Sequence, residues 1–204
     1  MSPAAGFDGE AWDTVATANL SDAIGRVGAM EGGIRRMCGQ RMVGPAHTVL
    51  TGTGDSSSIH RALVDALPGS VVVVDAQGGT DRAVWGNVLT LAARAQGVIG
   101  AVIDGAVRDI DEIAALDFTL FARATCPAGP HKGFRGFHGV PVQCGRVVVN
   151  PGDIIVGDAD GVTVVPVAQV GTVLAEVERV VTREREWIDR IRAGESSARV
   201  LGLE

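Results

Sequence analysis

The sequence predicts an α/β fold built as one domain, and three observations carry that prediction. Short runs of valine and isoleucine, Val71 to Asp75 and Val98 to Ile103, are bounded by turn residues and have the character of strands buried on both faces. Stretches with helical spacing of apolar residues lie between such runs. The composition, with 28 glycines and no tyrosine, fits a compact α/β protein better than a surface of stacking rings. A chain of 204 residues suits a single domain over 1–204 and is ample to bury a core.

Taken in order, residues 1–12 hold Gly, Pro and Ala without a usable period and read as a loose lead-in. Ala18, Leu20, Ala23, Ile24 and Val27 recur on one side of a helix predicted from Thr17 to Val27, with Ser21 and Asp22 as polar decoration. Gly32, Gly33 and Gly39 flank a predicted loop in which Arg35, Arg36 and Arg41 cluster as a solvated face, with an anion site as the minor alternative. Arg41 to Thr51 alternates around Met42, Val43, Val49 and Leu50 and reads as a strand, with Pro45 favouring an edge or a bulge. The polar loop from Gly52 to Ser58 ends in a helix cap, and Ile59, Leu63, Val64 and Leu67 share one side of the helix that follows. Its Gly-x-Gly lacks the third glycine and the distant acid of a dinucleotide fingerprint. Asp55 reads as the cap of this helix, with a place lining a site as the alternative, and His60 as a packed or surface histidine.

The strand Val71 to Asp75 ends in a polar tip of Asp75, Gln77, Gly78 and Gly79. This tip leads directly to Trp85, so the two strand ends are expected to face one cavity, with Asp81 and Arg82 on its rim. A helix from Gly86 or Asn87, carrying Val88, Leu89, Ala92, Ala93 and Ala95, precedes the strand Val98 to Ile103. Beyond that strand, Asp104, Arg108 and Asp109 are predicted to emerge together, where open α/β sheets present ligand-binding groups. A guanidinium beside a carboxylate can hold an organic anion and a divalent metal together, because Arg matches carboxylate geometry and Asp oxygen suits a hard cation. The same spacing also fits a plain surface ion pair. At the other end, the first N–H groups of the helix at Gly86, Asn87, Val88 and Leu89 lack intrahelical partners and can receive a carboxylate, although Gly86 equally suits a tight turn.

A short helix, Ile110 to Leu116, and a strand, Phe118 to Ala122, come next. The loop from Arg123 to His138 interleaves Lys132 and Arg135 with Phe134, Phe137, His131 and His138 and reads as a cover for the site or a subunit joint, its cations attracting dianionic substrates. Three short strands follow, Val147 to Val149, Ile154 to Val156 and Val162 to Val165, with turns at Pro151-Gly152-Asp153 and Asp158-Ala159-Asp160-Gly161. The second turn resembles a calcium loop only in its Asp-x-Asp-Gly, because no Glu follows at the required spacing. The final helix, within 168–193, carries one apolar stripe through Val170, Val173, Leu174, Val177, Val180, Val181, Trp187, Ile188 and Ile191. Glu184 falls on that stripe, so it is expected either to pair with an arginine or to enter a polar cavity.

Several motifs together resemble one known family. Trp85-Gly86, Gly97-x-x-Gly100, Asp104-Gly105-Ala106-Val107-Arg108-Asp109, Leu20-Ser21-Asp22-Ala23, Gly44-Pro45-Ala46, Pro151-Gly152-Asp153 and Asp158-Ala159-Asp160-Gly161-Val162 are similar to the class II 4-hydroxy-4-methyl-2-oxoglutarate aldolases and the related regulators of ribonuclease activity A. The resemblance spans roughly residues 17–195. It implies an RraA-like swivelling β/β/α sandwich whose C-terminal helix packs on a neighbouring subunit, in a homotrimer or hexamer with interfacial sites. It further implies Mg²⁺- or Mn²⁺-dependent cleavage or decarboxylation of small 2-oxo acids through a pyruvate enolate. By the same resemblance Arg108 binds the oxo and carboxylate end, Asp109 holds the metal, the backbone of Gly86 to Leu89 takes the pyruvyl carboxylate, and an acidic residue of an adjacent subunit, Glu184 or Glu186, reaches the metal's water shell. The apolar phase favours Glu184. One departure stands out: Asn87 occupies a position that is often acidic in the family. The rival reading within the family is a regulator that binds and inhibits a ribonuclease.

Composition narrows the remaining classes. Eighteen basic against 24 acidic residues give a net charge of −6 and a pI near 5.2, a balance that disfavours nucleic acid as the main ligand. No apolar run reaches a membrane span and the start lacks a signal-peptide pattern, so a cytoplasmic location is expected. Cys38, Cys126 and Cys144 indicate neither a disulfide framework nor a zinc site. The chain also lacks the glycine-rich strand-loop with a following ribose-binding acid that a methyltransferase reading would need.

Overall fold

The computed structural model describes residues 7–204 of the chain. The lead-in expected over residues 1–12 is only partly loose. Residues 1–6 lie outside the described residues, but Gly9–Trp12 forms a short helix, α1, capped by Asp8, and Trp12 is fully buried. Arg41 holds this segment by donating through Nη2 to the carbonyls of Trp12 and Val15.

The helix α2 runs over Thr17–Ala23, ending before the expected Val27, which is exposed. Strands β1, Arg35–Cys38, and β2, Met42–Leu50, follow, so the predicted arginine loop contains an edge strand and the three arginines point to different partners. Next come α3, Ser57–Ala62, then β3, Val71–Asp75, β4, Ala83–Trp85, and α4, Asn87–Ala95. They are followed by β5, Gly100–Val107, α5, Ile110–Ala114, and β6, Thr119–Thr125. Five further short strands complete the β structure: β7, Phe137–His138, β8, Val142–Cys144, β9, Val147–Val149, β10, Ile154–Gly157, and β11, Val162–Val165. Two helices close the chain, α6, Val170–Arg192, and α7, Ser197–Val200.

One curled sheet runs in the order β1-β6-β5-β3-β2-β10-β11, with β4 beside β5 and β7 beside β2; β8 and β9 form a separate ribbon. The central strands β2, β3, β5 and β6 are parallel. Period-2 alternation divides the core: Val72, Val74, Ala101 and Ile103 pack under α3, α4 and α5, while Val71, Val73, Val102 and Phe121 face the β8-β9 ribbon. A third cluster joins Trp12 and Leu20 to Ile154, Val156 and the first half of α6 through Val170, Val173 and Val177. This is the expected layered α/β sandwich with a long C-terminal helix.

Pro45 is not on an edge strand, as its missing N–H had suggested. It lies where β2 changes partner, opposite Ile154 on antiparallel β10, and from Ala46 onward β2 pairs with parallel β3. A residue without a donor suits that handover, because neither ladder needs its N–H.

Asp158, in the β10-β11 turn, caps α2 from a distance. Its carboxylate accepts the Thr17 N–H at 2.9 Å and the Thr17 hydroxyl at 2.7 Å. Burial works to raise its pKa, but these donors, the Asp160 N–H and the Arg41 charge outweigh burial and hold it below the ordinary carboxylate value. The stability it contributes is therefore present above the unfolded-state pKa and is lost as the pH falls through the lower folded-state value. Asp158→Ala is expected to cost about 1 kcal/mol at neutral pH, roughly 2–4 °C in Tm. In thermal melts the gap between the variant and the parent chain should close as the solution is made strongly acidic.

Candidate active site

Strand β5 continues past the expected Ile103, so Asp104 is not part of a polar tip. It is buried inside the strand because its charge is met there: Arg123 Nε donates to Oδ1 at 2.6 Å and the Gly145 N–H to Oδ2 at 2.8 Å. Arg123 binds Glu31 as well, at 2.6 Å. Asp104 thus lines a depression shared with Asp75, Gln77, Gly78 and Arg123, and the single cavity expected to join the tip of β3 to Trp85 is in fact two separate sites.

Arg108 and Asp109 do emerge together at the carboxyl end of β5, at the rim of a small cleft open to solvent. Asp109 adopts a left-handed conformation, φ 60°, which a short polar side chain tolerates better than most. That turn starts α5 and directs the carboxylate to the start of α4. Asp109 Oδ2 accepts the Asn87 N–H at 3.0 Å and stands 3.4 Å from Arg108 Nε. Both contacts fall on Oδ2, which leaves Oδ1 for a ligand.

Two glycines allow this close arrangement. A Cβ on Gly86 would stand 2.5 Å from Asp109 Oδ2 and 3.1 Å from Arg108 Cγ, and one on Gly129 would stand 2.9 Å from Arg108 Nη1. Gly86 is therefore required by the approach of the ion pair, not by its own backbone, which is extended at φ −165°. Behind it, the Trp85 indole donates to Thr90 Oγ1 at 2.9 Å, and that hydroxyl donates to the Gly86 carbonyl, which fixes the first turn of α4.

Of the four predicted carboxylate-binding positions, Gly86, Val88 and Leu89 line the cleft and Asn87 does not. The Asn87 N–H is already occupied by Asp109, and its Oδ1 is buried without a hydrogen-bond partner. The first-turn N–H groups of Val88 and Leu89 remain for an anion. Glu184 does not line this cleft within its own chain: it accepts from Asn19 Nδ2 at 2.9 Å on α2.

Other groups at the cleft were assigned elsewhere from sequence. Asp55 is a cap, accepting the Ser57 N–H at 2.7 Å and the Phe134 N–H at 3.1 Å, and so ties the 130–134 loop to α3. That loop brings Lys132 to the cleft, as its expected covering role required, while His60, expected to be packed or on the surface, also lines it. Ser56 lines it too and went unnoticed in the sequence, since nothing in a polar loop marks one serine among three. Asp81 and Arg82 do not line it.

The donor set fits a hard divalent cation held lightly. Among the described residues no cluster of three or more His, Cys, Asp or Glu side chains is arranged to hold a metal, and Asp109 is the one carboxylate lining the cleft. Magnesium commonly keeps several waters and binds through one or two carboxylates plus substrate oxygens, which Asp109 with a 2-oxo acid would supply.

Fold and cleft together define an α/β protein with a cleft at the carboxyl end of its parallel strand β5, where such sheets present ligand-binding groups. The chain belongs to the RraA-like family, whose model, described as Aldolase/RraA, matches residues 17–164. A relative in Halalkalibacterium halodurans, provisionally named a 4-hydroxy-4-methyl-2-oxoglutarate aldolase, is 39% identical over 185 residues, 88% of either chain. An uncharacterized protein from Pseudomonas syringae shares the fold with a TM-score of 0.81 and 30% identity, over 96% of this chain and 92% of that one. The RNA-processing inhibitor RraA from Thermus thermophilis superposes with a TM-score of 0.68 and 30% identity, over 74% of this chain and 92% of that one. The family and the fold expected from the motifs are thereby borne out.

Proposed function

We propose that the chain is a divalent-metal-dependent pyruvate aldolase that cleaves 4-hydroxy-2-oxo acids of the 4-hydroxy-4-methyl-2-oxoglutarate type and also decarboxylates oxaloacetate. The observation that carries this reading is the Arg108-Asp109 pair held against the first turn of α4 inside one cleft. The aldolase name of the Halalkalibacterium relative supports it.

In this reading the substrate's carboxylate lies on the N–H groups of Val88 and Leu89, where the helix dipole favours negative charge. Arg108 faces the 2-oxo oxygen and stabilises the charge that grows there as the C3–C4 bond breaks. In that step the 4-hydroxyl gives its proton to solvent water in the open cleft, C4 becomes a carbonyl, and the enolate of pyruvate forms, to take a proton at C3 from water. Asp109 holds Mg²⁺ or Mn²⁺, which when bound supplies Lewis-acid polarisation of the 2-oxo acid. The Asn87 N–H, by its bond to Oδ2, fixes the carboxylate that does the holding. Loss of carbon dioxide from oxaloacetate leaves the same enolate, so one set of residues serves both reactions.

The reading includes a homotrimer or hexamer in which Glu184 from a neighbouring copy completes the site. No α6 residue lines the cleft of its own chain, and Ile188 and Ile191 on the outer half of α6 are 45% and 43% exposed. A second reading, a protein that inhibits a ribonuclease by contact, draws on the likeness to the Thermus inhibitor. It needs no cleft chemistry, and a tight nuclease partner in a pull-down would favour it.

The test is pyruvate release from oxaloacetate and from 4-hydroxy-4-methyl-2-oxoglutarate by EDTA-treated protein, with and without added Mg²⁺ or Mn²⁺. Metal-dependent release from both is expected; no release from either substrate would sink the aldolase reading. Gly86→Ala gives a sharper check. The added methyl, 2.5 Å from Oδ2, forces the carboxylate off the Asn87 N–H. A fall of about tenfold or more in kcat/KM is expected, with an unchanged circular dichroism spectrum, since misplacement on the order of 1 Å can cost up to about 10²-fold.

A further inference from the structure

The carboxyl ends of the parallel strands open on two sides of the sheet, and the cleft occupies only the helix side. There the inward residues of β3, β5 and β6 stay apolar through Val74, Ile103 and Ala122. On the ribbon side the apolar row Val73, Val102 and Phe121 gives way one pleat later to Asp75, Asp104 and Arg123. These three charges, with Gln143 and Arg146 from the β8-β9 ribbon, line the second depression. Strand ends of this kind are where parallel sheets take ligands.

Most polar groups in the depression already hold the fold together. Asp104 is met by Arg123 and the Gly145 N–H, and Arg123 binds Glu31 as well. Asp75 ties the ribbon to β3, its Oδ1 accepting the Gln77 N–H at 2.9 Å and its Oδ2 the Gln143 N–H at 3.3 Å. Arg146 has no such duty. It is exposed, and among the described residues its guanidinium has neither an ion pair nor a hydrogen bond.

Its backbone makes that arginine conspicuous. Strands β8 and β9 are joined by a two-residue turn, Gly145-Arg146, in which both residues are left-handed at φ 53° and 67°. Turns of this kind favour Asn-Gly or Gly-Gly, and a long side chain is disfavoured in them. The turn is also pinned, because the Gly145 N–H donates to Asp104 at 2.8 Å and its carbonyl accepts the Glu31 N–H at 2.9 Å. Left-handed residues held in place by their surroundings gather at ligand sites.

The charges select the ligand. Asp75, Asp104 and Glu31 outnumber Arg123 and Arg146, so a simple anion meets net repulsion. A simple cation would leave Arg146 without a partner. We propose that this depression is a binding site for a free α-amino acid, separate from the cleft, with the ligand's carboxylate on Arg146 and its ammonium on Asp75. A guanidinium matches a carboxylate through two parallel bonds, and the Asp75 carboxylate keeps acceptor positions beyond its two backbone donors.

The test is calorimetric titration of the full chain with each proteinogenic amino acid in turn. At least one should bind, and its deaminated acid and decarboxylated amine should each bind about tenfold more weakly or worse, since either lacks one charge-assisted contact. Arg146→Gly should weaken the amino acid by about tenfold or more without lowering Tm, because glycine adopts the left-handed turn freely. Arg108→Ala, altered only in the cleft, should bind it as the parent chain does. Binding of none of the amino acids, equal binding of the acid or the amine alone, or unchanged affinity in Arg146→Gly would overturn the proposal. Affinity lost in Arg108→Ala and kept in Arg146→Gly would put the ligand in the cleft and overturn it too. Pyruvate release plays no part in these readings, so the site stands or falls apart from the aldolase reading.

Discussion

Arg108→Ala is expected to lower kcat for pyruvate release by roughly 10²- to 10³-fold, on the order of 3 kcal/mol of transition-state stabilisation, as for removal of other oxyanion donors. The loss should appear in kcat because the guanidinium meets charge that develops only as the carbon–carbon bond breaks. The fold should tolerate the change. The Arg108 side chain is 41% exposed, its ion pair with Asp109 lies at the solvent edge, and such pairs contribute little to stability. Arg108→Lys should recover only part of the rate, since an ammonium keeps the charge and loses the planar fork. Turnover near that of the parent chain in Arg108→Ala, measured with coupled pyruvate detection, would remove Arg108 from the mechanism.

Asp109→Asn is expected to abolish metal-dependent release almost entirely, a drop of about 10²-fold or more, because the amide keeps the geometry and loses the charge that attracts the cation. The amide oxygen can still accept the Asn87 N–H, so α4 should stay capped. Asp109→Ala removes both functions and should lower Tm as well. Mn²⁺ titration followed by electron paramagnetic resonance separates the two effects: the free-ion signal should stay high in both variants and fall in the parent chain. Strong Mn²⁺ binding in Asp109→Asn would place the metal elsewhere.

The legible parts of the molecule were those set by local pattern. Val71 to Asp75 and the helix from Asn87 appear where the spacing predicts them, because a strand buried on both faces and an amphipathic first turn are written in adjacent residues. The Asp158 turn and the Asp55 cap were legible for the same reason. Asp104 was misplaced because an acid at the end of an apolar run looks like the start of a polar tip. Only Arg123 and Gly145, 19 and 41 residues further on, make its burial affordable. Trp12 was hidden by a lead-in without period, since its burial depends on Ile154, Val156 and the first half of α6, far along the chain.

For the candidate site, the motif from Asp104 to Asp109 pointed to Arg108 and Asp109, and the helix signal to Gly86, Val88 and Leu89, which the structure brings to one cleft. What sequence alone determined, then, is the alternation of buried strands and capped helices, the family, and the Arg108-Asp109 pair at the end of β5. What only the tertiary structure decided is which groups share a cleft: Ser56, His60 and Lys132 join Arg108, while Asp104, Asp75 and, within one chain, Glu184 do not. The reason is physical. Helix and strand formation are dictated by neighbours in the chain, whereas a cleft is made by loop positions brought together by long-range pairing, and the burial and partners of each polar group are properties of that assembled surface.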